Sequence, residues 1–155
     1  MNAFLEQIKT QLQSSQGDTA LEPVLQTTLK HFNSETGTIH KLDANTQLLQ
    51  LTAYVGLPPK MLDIVKTIPV GKGIAGETAA KNQPVTICNL QTDTSGVARP
   101  AAKQTGVGGA LCVPIRVGDR LVGTFGIGTM REHEYSAAEI NLLLDVAKLI
   151  GPKMP

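Results

Sequence analysis

The stretch IPVGKGIAGETAAKNQPVTICNL, residues 68–90, decides how the rest of the chain is read. It starts on a Pro-Val-Gly turn and passes Gly71, Gly73 and Gly76. A short alanine-bearing segment follows, and Pro84 then opens the β-branched run Val85-Thr86-Ile87. Taken literally, residues 71–76 spell GxGxxG, the dinucleotide-binding fingerprint. That fingerprint needs a strand in front of it and a long crossover helix behind it. Here a proline-containing turn precedes it, and residues 77–82 leave barely two helical turns before the next strand. A Walker-type phosphate loop fails as well, because no Ser or Thr follows Lys72. The glycines are read instead as serving tight turns and close packing, and the stretch as one wall of a small-molecule pocket.

The bulk properties are compatible with that reading. A chain of 155 residues suits a single domain, and at this size folding buries roughly two-thirds of the unfolded surface. The 14 basic and 13 acidic side chains give a net charge of +1, so no face for a polyanion is announced. With no Lys/Arg run and few aromatics for stacking, nucleic-acid binding is not expected. Cys88 and Cys112 form neither a disulfide framework nor a CxxC pair. The N-terminal MNAFLEQIKTQLQ is amphipathic rather than signal-like, and no apolar run approaches a membrane span. A cytoplasmic protein with free thiols, without cofactor or membrane partner, is the expectation.

Taken in order, Phe4, Leu5, Ile8 and Leu12 recur at helical spacing, and Ser14-Ser15-Gln16-Gly17 ends that helix. Asp18 or Thr19 is placed to cap a second helix, with Glu22 completing a capping box if Thr19 is the cap. Its apolar stripe is Leu21, Val24, Leu25, Thr28, Leu29 and Phe32. Residues 38–42 and 47–55 read as a hairpin, 60–66 as a short helix and 73–82 as another, with a strand after Pro84. A long polar segment, 89–109, follows; loops of this length in compact domains are usually functional. Residues 111–117 and 121–129 form a second hairpin. Ser136-Ala137-Ala138-Glu139 is a capping-box signature opening a helix that runs to Ile150.

Strict alternation along the strands divides the sheet into two faces. One set, Leu49, Leu51, Ala53, Val55, Leu111, Val113, Ile115, Val117, Leu121, Phe125 and Ile127, is apolar and is expected under the terminal helices. The other holds Gln50, Thr52, Tyr54, Ala110, Cys112, Thr124, Gly126 and Gly128. Small and polar residues on a covered face leave room and hydrogen-bonding groups, as a ligand cavity requires. Glycines at 123, 126 and 128 within one strand point the same way, because glycine weakens a strand unless something approaches closely. His31, His40 and His133 are scattered without convergent metal spacing, so structural or surface roles are expected for them. No serine elbow or locally placed carboxylate pair is present.

The order helix, helix, hairpin, short helix, IPVGKGIAGETAAKNQPVTI, polar loop, hairpin, helix resembles the GAF domain family over essentially the whole chain. Residues 109–115 (GALCVPI) and 120–127 (RLVGTFGI) carry the resemblance alongside 68–87. It implies an α+β fold, profilin-like and related to PAS domains. A central antiparallel sheet would carry terminal helices on one face and a ligand pocket on the other. Residues 3–33 would form the N-terminal helices, 37–129 the sheet and pocket, and 136–150 the C-terminal helix of one domain, 1–155. Family members commonly dimerise through terminal helices and bind cyclic nucleotides, tetrapyrroles, metabolites or anions. Of the cyclic-nucleotide motif only Tyr135 and Glu139 are echoed. Bilin-binding members are longer and carry a cysteine in a context unlike those of Cys88 and Cys112. The family's free methionine-(R)-sulfoxide reductases need cysteines where this chain has Val65 and Ala75, and a loop cysteine absent between 89 and 109.

The resulting expectation is a non-catalytic sensory module that binds a small polar or anionic metabolite, forms a homodimer through residues 3–13 and 137–150, and signals to a separate protein. Arg99 would pair an anionic group, and the start of the 73–82 helix at Gly73, Ile74 and Ala75 would add amide donors and a positive dipole end. Thr52, Tyr54, Thr86 and Cys112 are further candidate lining residues, with Thr124, Asp93 and Ser95 completing the set. A ligand-free interaction module and a reductase are the alternatives.

Overall fold

Asn2 opens the first helix, α1 (Ala3–Ser14): its Oδ1 accepts from the Leu5 amide at 2.8 Å, satisfying one of the donors that a helix start leaves over. The computed structural model describes residues 2–15, 17–97 and 106–154. The second helix, α2 (Leu21–His31), is entered differently from the capping expected at Asp18 or Thr19. Residues Gly17–Ala20 wind as a 3-10 turn, and Ala20 at the N-cap makes no side-chain cap bond; such a turn itself bonds the first amides of the helix. At the other end of the chain, Ser136 and Glu139 form the full capping box of the last helix, α5 (Ala137–Ile150).

Between these helices lies one antiparallel sheet. Its strands are β1 (Thr36–Asp43), β2 (Leu48–Val55), β3 (Thr67–Pro69), β4 (Val85–Ile87), β5 (Ala110–Val117) and β6 (Arg120–Gly128), in the order β3-β2-β1-β6-β5-β4. Both predicted hairpins are present, and the chain's two ends cover one face. α1, α2 and α5 bury Ile8, Leu21, Val24, Leu25, Leu143, Val146 and Ile150 against Ile39, Val113, Ile115 and Phe125. Complete burial of each such side chain contributes about 1.5–3 kcal/mol. Two further helices, α3 (Pro59–Val65) and α4 (Gly73–Lys81), lie on the opposite face.

Strict alternation mispredicts part of that division, for an identifiable reason. In the β1–β2 ladder Ile39 pairs Ala53 but His40 pairs Leu51, so Thr52 is an extra residue in β2. In the β5–β6 ladder Ile115 pairs Gly123 but Arg116 pairs Leu121, so Val122 is extra in β6. Each β-bulge inverts the alternation beyond it. Leu49 and Leu121, expected under the terminal helices, instead join Ile68 and Ala79 in a second apolar cluster on the α4 face. Val122 goes the other way, into the main core.

The glycines of residues 71–76 seat α4. Gly71 and Gly73 have φ of +94° and +66°, a region L side chains rarely adopt. Gly76 has no positive φ; it is required by proximity. A β-carbon there would lie 2.6 Å from the Pro69 carbonyl oxygen and 3.1 Å from the Gly71 nitrogen, while the Gly71 amide donates to the Gly76 carbonyl at 2.8 Å. The far end of α4 is held by Asn82, left-handed at φ +53°. Its Oδ1 and carbonyl accept from the Arg116 guanidinium at 2.8 and 2.9 Å. Gly76→Ala is therefore expected to lower unfolding stability by about 1–3 kcal/mol, measured as a shifted urea midpoint. An unchanged midpoint would mean that α4 does not sit this close to the turn after β3.

Candidate functional site

On the α4 face the sheet carries small residues, and α4 does not fill the space above them. Two clefts result. The first, about 140 Å³, is bounded by Thr36, Thr38, Ala110, Cys112, Gly126 and Gly128 of the sheet, by Ile74 and Ala75 of α4, and by Leu90 and Val107 at the two ends of the long polar segment. The second, about 130 Å³, lies between Thr38 and His40 of β1, Met61, Ile64 and Val65 of α3, Ile68, and Gly73, Ile74 and Ala75. Thr38, Ile74 and Ala75 belong to both, so the start of α4 divides one bipartite site. Neither described wall holds a lysine, arginine or carboxylate.

Of the residues singled out from sequence, Gly73, Ile74, Ala75 and Cys112 stand in these walls. Thr124 is fully buried directly opposite His40 in the β1–β6 ladder. The others lie elsewhere. Tyr54 is 44% exposed and, with Thr52, borders a separate hollow beside Asp18 and Glu22. Thr86 is exposed on the edge strand, opposite Leu111, whose side chain enters the terminal-helix core. Asp93 and Ser95 are bonded to each other, the Ser95 hydroxyl donating to the Asp93 carboxylate at 2.7 Å. Arg99 lies outside the described residues.

The wall residues not singled out individually from sequence include Thr36, Thr38, His40, Leu90 and Val107. A signal for three of them was available in β1, where Thr36, Thr38 and His40 alternate as a polar row against the glycine-bearing β6. Leu90 and Val107 gave none, because their placement depends on how the polar segment is pinned. The Leu90 amide donates to the Gly108 carbonyl, and the Gln91 side chain donates to the Val107 carbonyl at 2.9 Å.

His40 and Cys112 are the titratable groups of the walls. His40 is 1% exposed, and its Nε2 lies 2.8 Å from the Val65 carbonyl at the end of α3. Burial pushes its pKa below the usual histidine value, with the bond to Val65 opposing. Burial likewise pushes the Cys112 thiol up to about 11, with the Thr78 and Thr124 hydroxyls pulling weakly the other way. The Thr124 hydroxyl faces the thiol without forming a full hydrogen bond and has no other partner among the described residues. At neutral pH Cys112 is thus a protonated and weakly nucleophilic thiol. Cys88 is exposed, and its thiol pKa is raised by desolvation and then by the Glu132 carboxylate, an oxygen of which lies 3.6 Å from Sγ. Among the described residues no group of three or more metal-ligating side chains converges.

His133, Tyr135 and Glu139 form a different cluster at the start of α5. His133 Nε2 lies 3.1 Å from both Glu139 oxygens. Partial burial would raise the Glu139 pKa, but the Ser136 amide and His133 outweigh it and hold the carboxyl below its usual range. The Tyr135 ring meets His133 edge-on and is buried in the terminal-helix core. These residues fasten α5 and lie away from both clefts.

The neutral burial of His40 has a consequence for stability. A histidine whose folded-state pKa is lowered binds its proton less readily in the native than in the unfolded chain. Stability is then complete above about pH 6.5 and falls as pH drops through that value, by up to ~1.4 kcal/mol per pH unit from this one group. Replacing His40 with Gln removes that dependence. Urea unfolding at pH 7.5, 6.5 and 5.5 should show a shallower decline for His40→Gln than for the wild type; equal slopes would place the His40 proton elsewhere.

Comparison with known proteins agrees with this architecture. A family model described as GAF domain matches residues 17–152. A comparison with curated sequences finds no match. Among solved structures, the GAF domain of a phosphoenolpyruvate-protein phosphotransferase from Coxiella burnetii is similar at TM-score 0.84 and 18% identity, covering 97% of this chain and 89% of that one. The free methionine-R-sulfoxide reductase of Neisseria meningitidis, in complex with its substrate, is similar at TM-score 0.82 and 16% identity over 97% and 85% of the two chains. An A. aeolicus GAF domain in an inactive state gives 0.75 and 16% over 96% and 91%. At these identities the structural neighbours establish the fold, while the family match spans most of the chain. The chain belongs to the GAF domain family.

Proposed function

We propose that this protein is a non-catalytic small-molecule-binding GAF module that reports ligand through α4. The observation that carries the reading is the bipartite cleft itself. Glycine and alanine line the sheet at Ala110, Gly126 and Gly128, opposite α4, where larger side chains would have closed the gap. The expectation of an anionic ligand rested on Arg99, which lies outside the described residues, and on the amides at the start of α4. The described walls are apolar and uncharged, with Thr36, Thr38, His40 and Cys112 as their polar side chains. They favour a neutral molecule with an apolar body. Each compartment is near the roughly 150 Å³ of an apolar cavity that accepts benzene, so the ligand is small.

Catalysis is not part of the proposal. The two positions where the reductase resemblance calls for cysteine, Val65 and Ala75, both stand in the second cleft, and the thiol nearby, Cys112, is held protonated by burial. Turnover of free methionine-(R)-sulfoxide with a dithiol reductant is expected to be absent. A cytoplasmic location fits the two free thiols, and no described helix is long and apolar enough to cross a membrane. Self-association through α1 and α5 is included in the proposal, supported by Leu142, Leu144 and Leu149, which α5 leaves half-buried. A sedimentation profile that is monomeric at micromolar concentration would remove it. The second reading, an interaction module without ligand, is favoured by the size of each cleft, below the roughly 300 Å³ at which ligand pockets usually begin.

A thermal-shift screen with neutral metabolites separates these readings. A true ligand at a hundred times its dissociation constant stabilises the fold by about 2.7 kcal/mol. Gly126→Ala should reduce the shift. A β-carbon there meets Thr38 Oγ1 at 3.3 Å and Cys112 Sγ at 3.7 Å, which the fold tolerates while the first cleft narrows. A panel in which no compound moves the transition leaves the ligand-free module.

A further inference from the structure

Among the described residues the His40 imidazole makes one hydrogen bond, although a neutral imidazole can make two. Its Nε2 lies 2.8 Å from the Val65 carbonyl oxygen, which can only accept, so Nε2 carries the hydrogen. In a neutral imidazole the other nitrogen, Nδ1, is then a bare acceptor. Nδ1 is buried and has no hydrogen-bond partner among the described residues. An unmet buried acceptor is unfavourable, and the structural task of His40, pinning the end of α3 to β1, uses Nε2 alone. No described contact uses the second nitrogen.

Its surroundings supply the explanation. His40 stands in the wall of the second cleft, among Met61, Ile64, Ile68 and Ile74. Thr38, two residues along the same strand and on the same face, carries a hydroxyl to the junction with the first cleft. Thr124, across the ladder, holds another buried hydroxyl without a full hydrogen bond. We propose that His40 Nδ1 is the recognition acceptor of the second cleft, selecting a small neutral molecule with an apolar body and one O–H or N–H donor directed at this nitrogen. The inference rests on the binding-module reading and narrows it to a ligand class. An apolar body fills the Met61–Ile64–Ile68–Ile74 lining. A donor satisfies Nδ1. An ether, ketone or carboxylate would set lone pairs against the nitrogen's own and be rejected, because sites built to hydrogen-bond a donor discriminate strongly against analogues that lack it.

Phenol and anisole test this on the wild-type protein, since they share the ring and differ by the donor. With ¹⁵N-labelled protein at pH 7.5, long-range ¹H–¹⁵N correlation of the imidazoles reports each histidine nitrogen separately. Phenol is expected to move the His40 Nδ1 resonance upfield, as accepting a hydrogen bond does, and to bind at least tenfold more tightly than anisole. Equal affinities, or saturation by phenol with His40 Nδ1 unmoved, overturn the assignment while leaving the binding module intact. Binding of neither compound overturns it too; the binding module as a whole falls only if the neutral-metabolite screen is also silent.

Discussion

The contact between Gly76 and the carbonyl of Pro69 fixes where α4 sits, and with it the walls of both clefts. No side chain fits between the helix and the turn after β3, so the helix start is pressed against the sheet's β3 side. At its other end the Arg116 fork holds Asn82 against β5. Between these two anchors the helix bridges β6 and β5 without a bulky residue beneath it, because the floor there is Gly126, Gly128 and Ala110. The GxGxxG spelling of residues 71–76 is thus a packing motif. Two glycines turn the chain, and the third lets a helix approach backbone.

Much of the fold is legible in the sequence because its signals are local. The periodicity of Phe4, Leu5, Ile8 and Leu12, the capping box at Ser136, and the proline before Val85 each act within a few residues, and each element appears close to where it is read. What is not legible is non-local. The two bulges place Thr52 and Val122 out of register, and neither residue is a glycine or proline that would advertise the irregularity. Alternation counted from either strand end therefore carries Leu49 and Leu121 to the wrong face. Thr86 fails for a related reason: parity on a three-residue edge strand is set by its partner, β5, and not by its own pattern. The site shows the same division. Gly73, Ile74 and Ala75 follow from the motif, whereas His40 gains its meaning from the α3 carbonyl brought to it by the chain between β2 and β3.

In the proposed reading, the chemistry of the described walls weighs against an intuition drawn from the helix dipole. A helix N-terminus with free amides suggests an anion, and Gly73–Ala75 do face the second cleft. Yet the described side chains around them include Met61, Ile64, Val65 and Ile68 and hold no countercharge. Transferring an unpaired anion into such surroundings costs several kcal/mol, more than the 0.3–1 kcal/mol typical of one exposed helix end. The proposed neutral ligand, met by one nitrogen and a hydroxyl, suits this environment better.

The sheet is shared by two cores of very different extent. Below it, three helices and the tail residue Met154 knit one continuous apolar mass. Above it, Leu49, Ile68 and Ala79 form one small cluster and Ile87, Leu90, Val107 and Ala110 another. Such asymmetry divides a domain into cooperative units of unequal strength. Amides of α4 and β3 would exchange with solvent through an opening that leaves the terminal-helix side closed. A molecule that cements the two small clusters together would slow that exchange selectively, so in the proposed reading the signal would be a change in how long one layer of the domain stays shut.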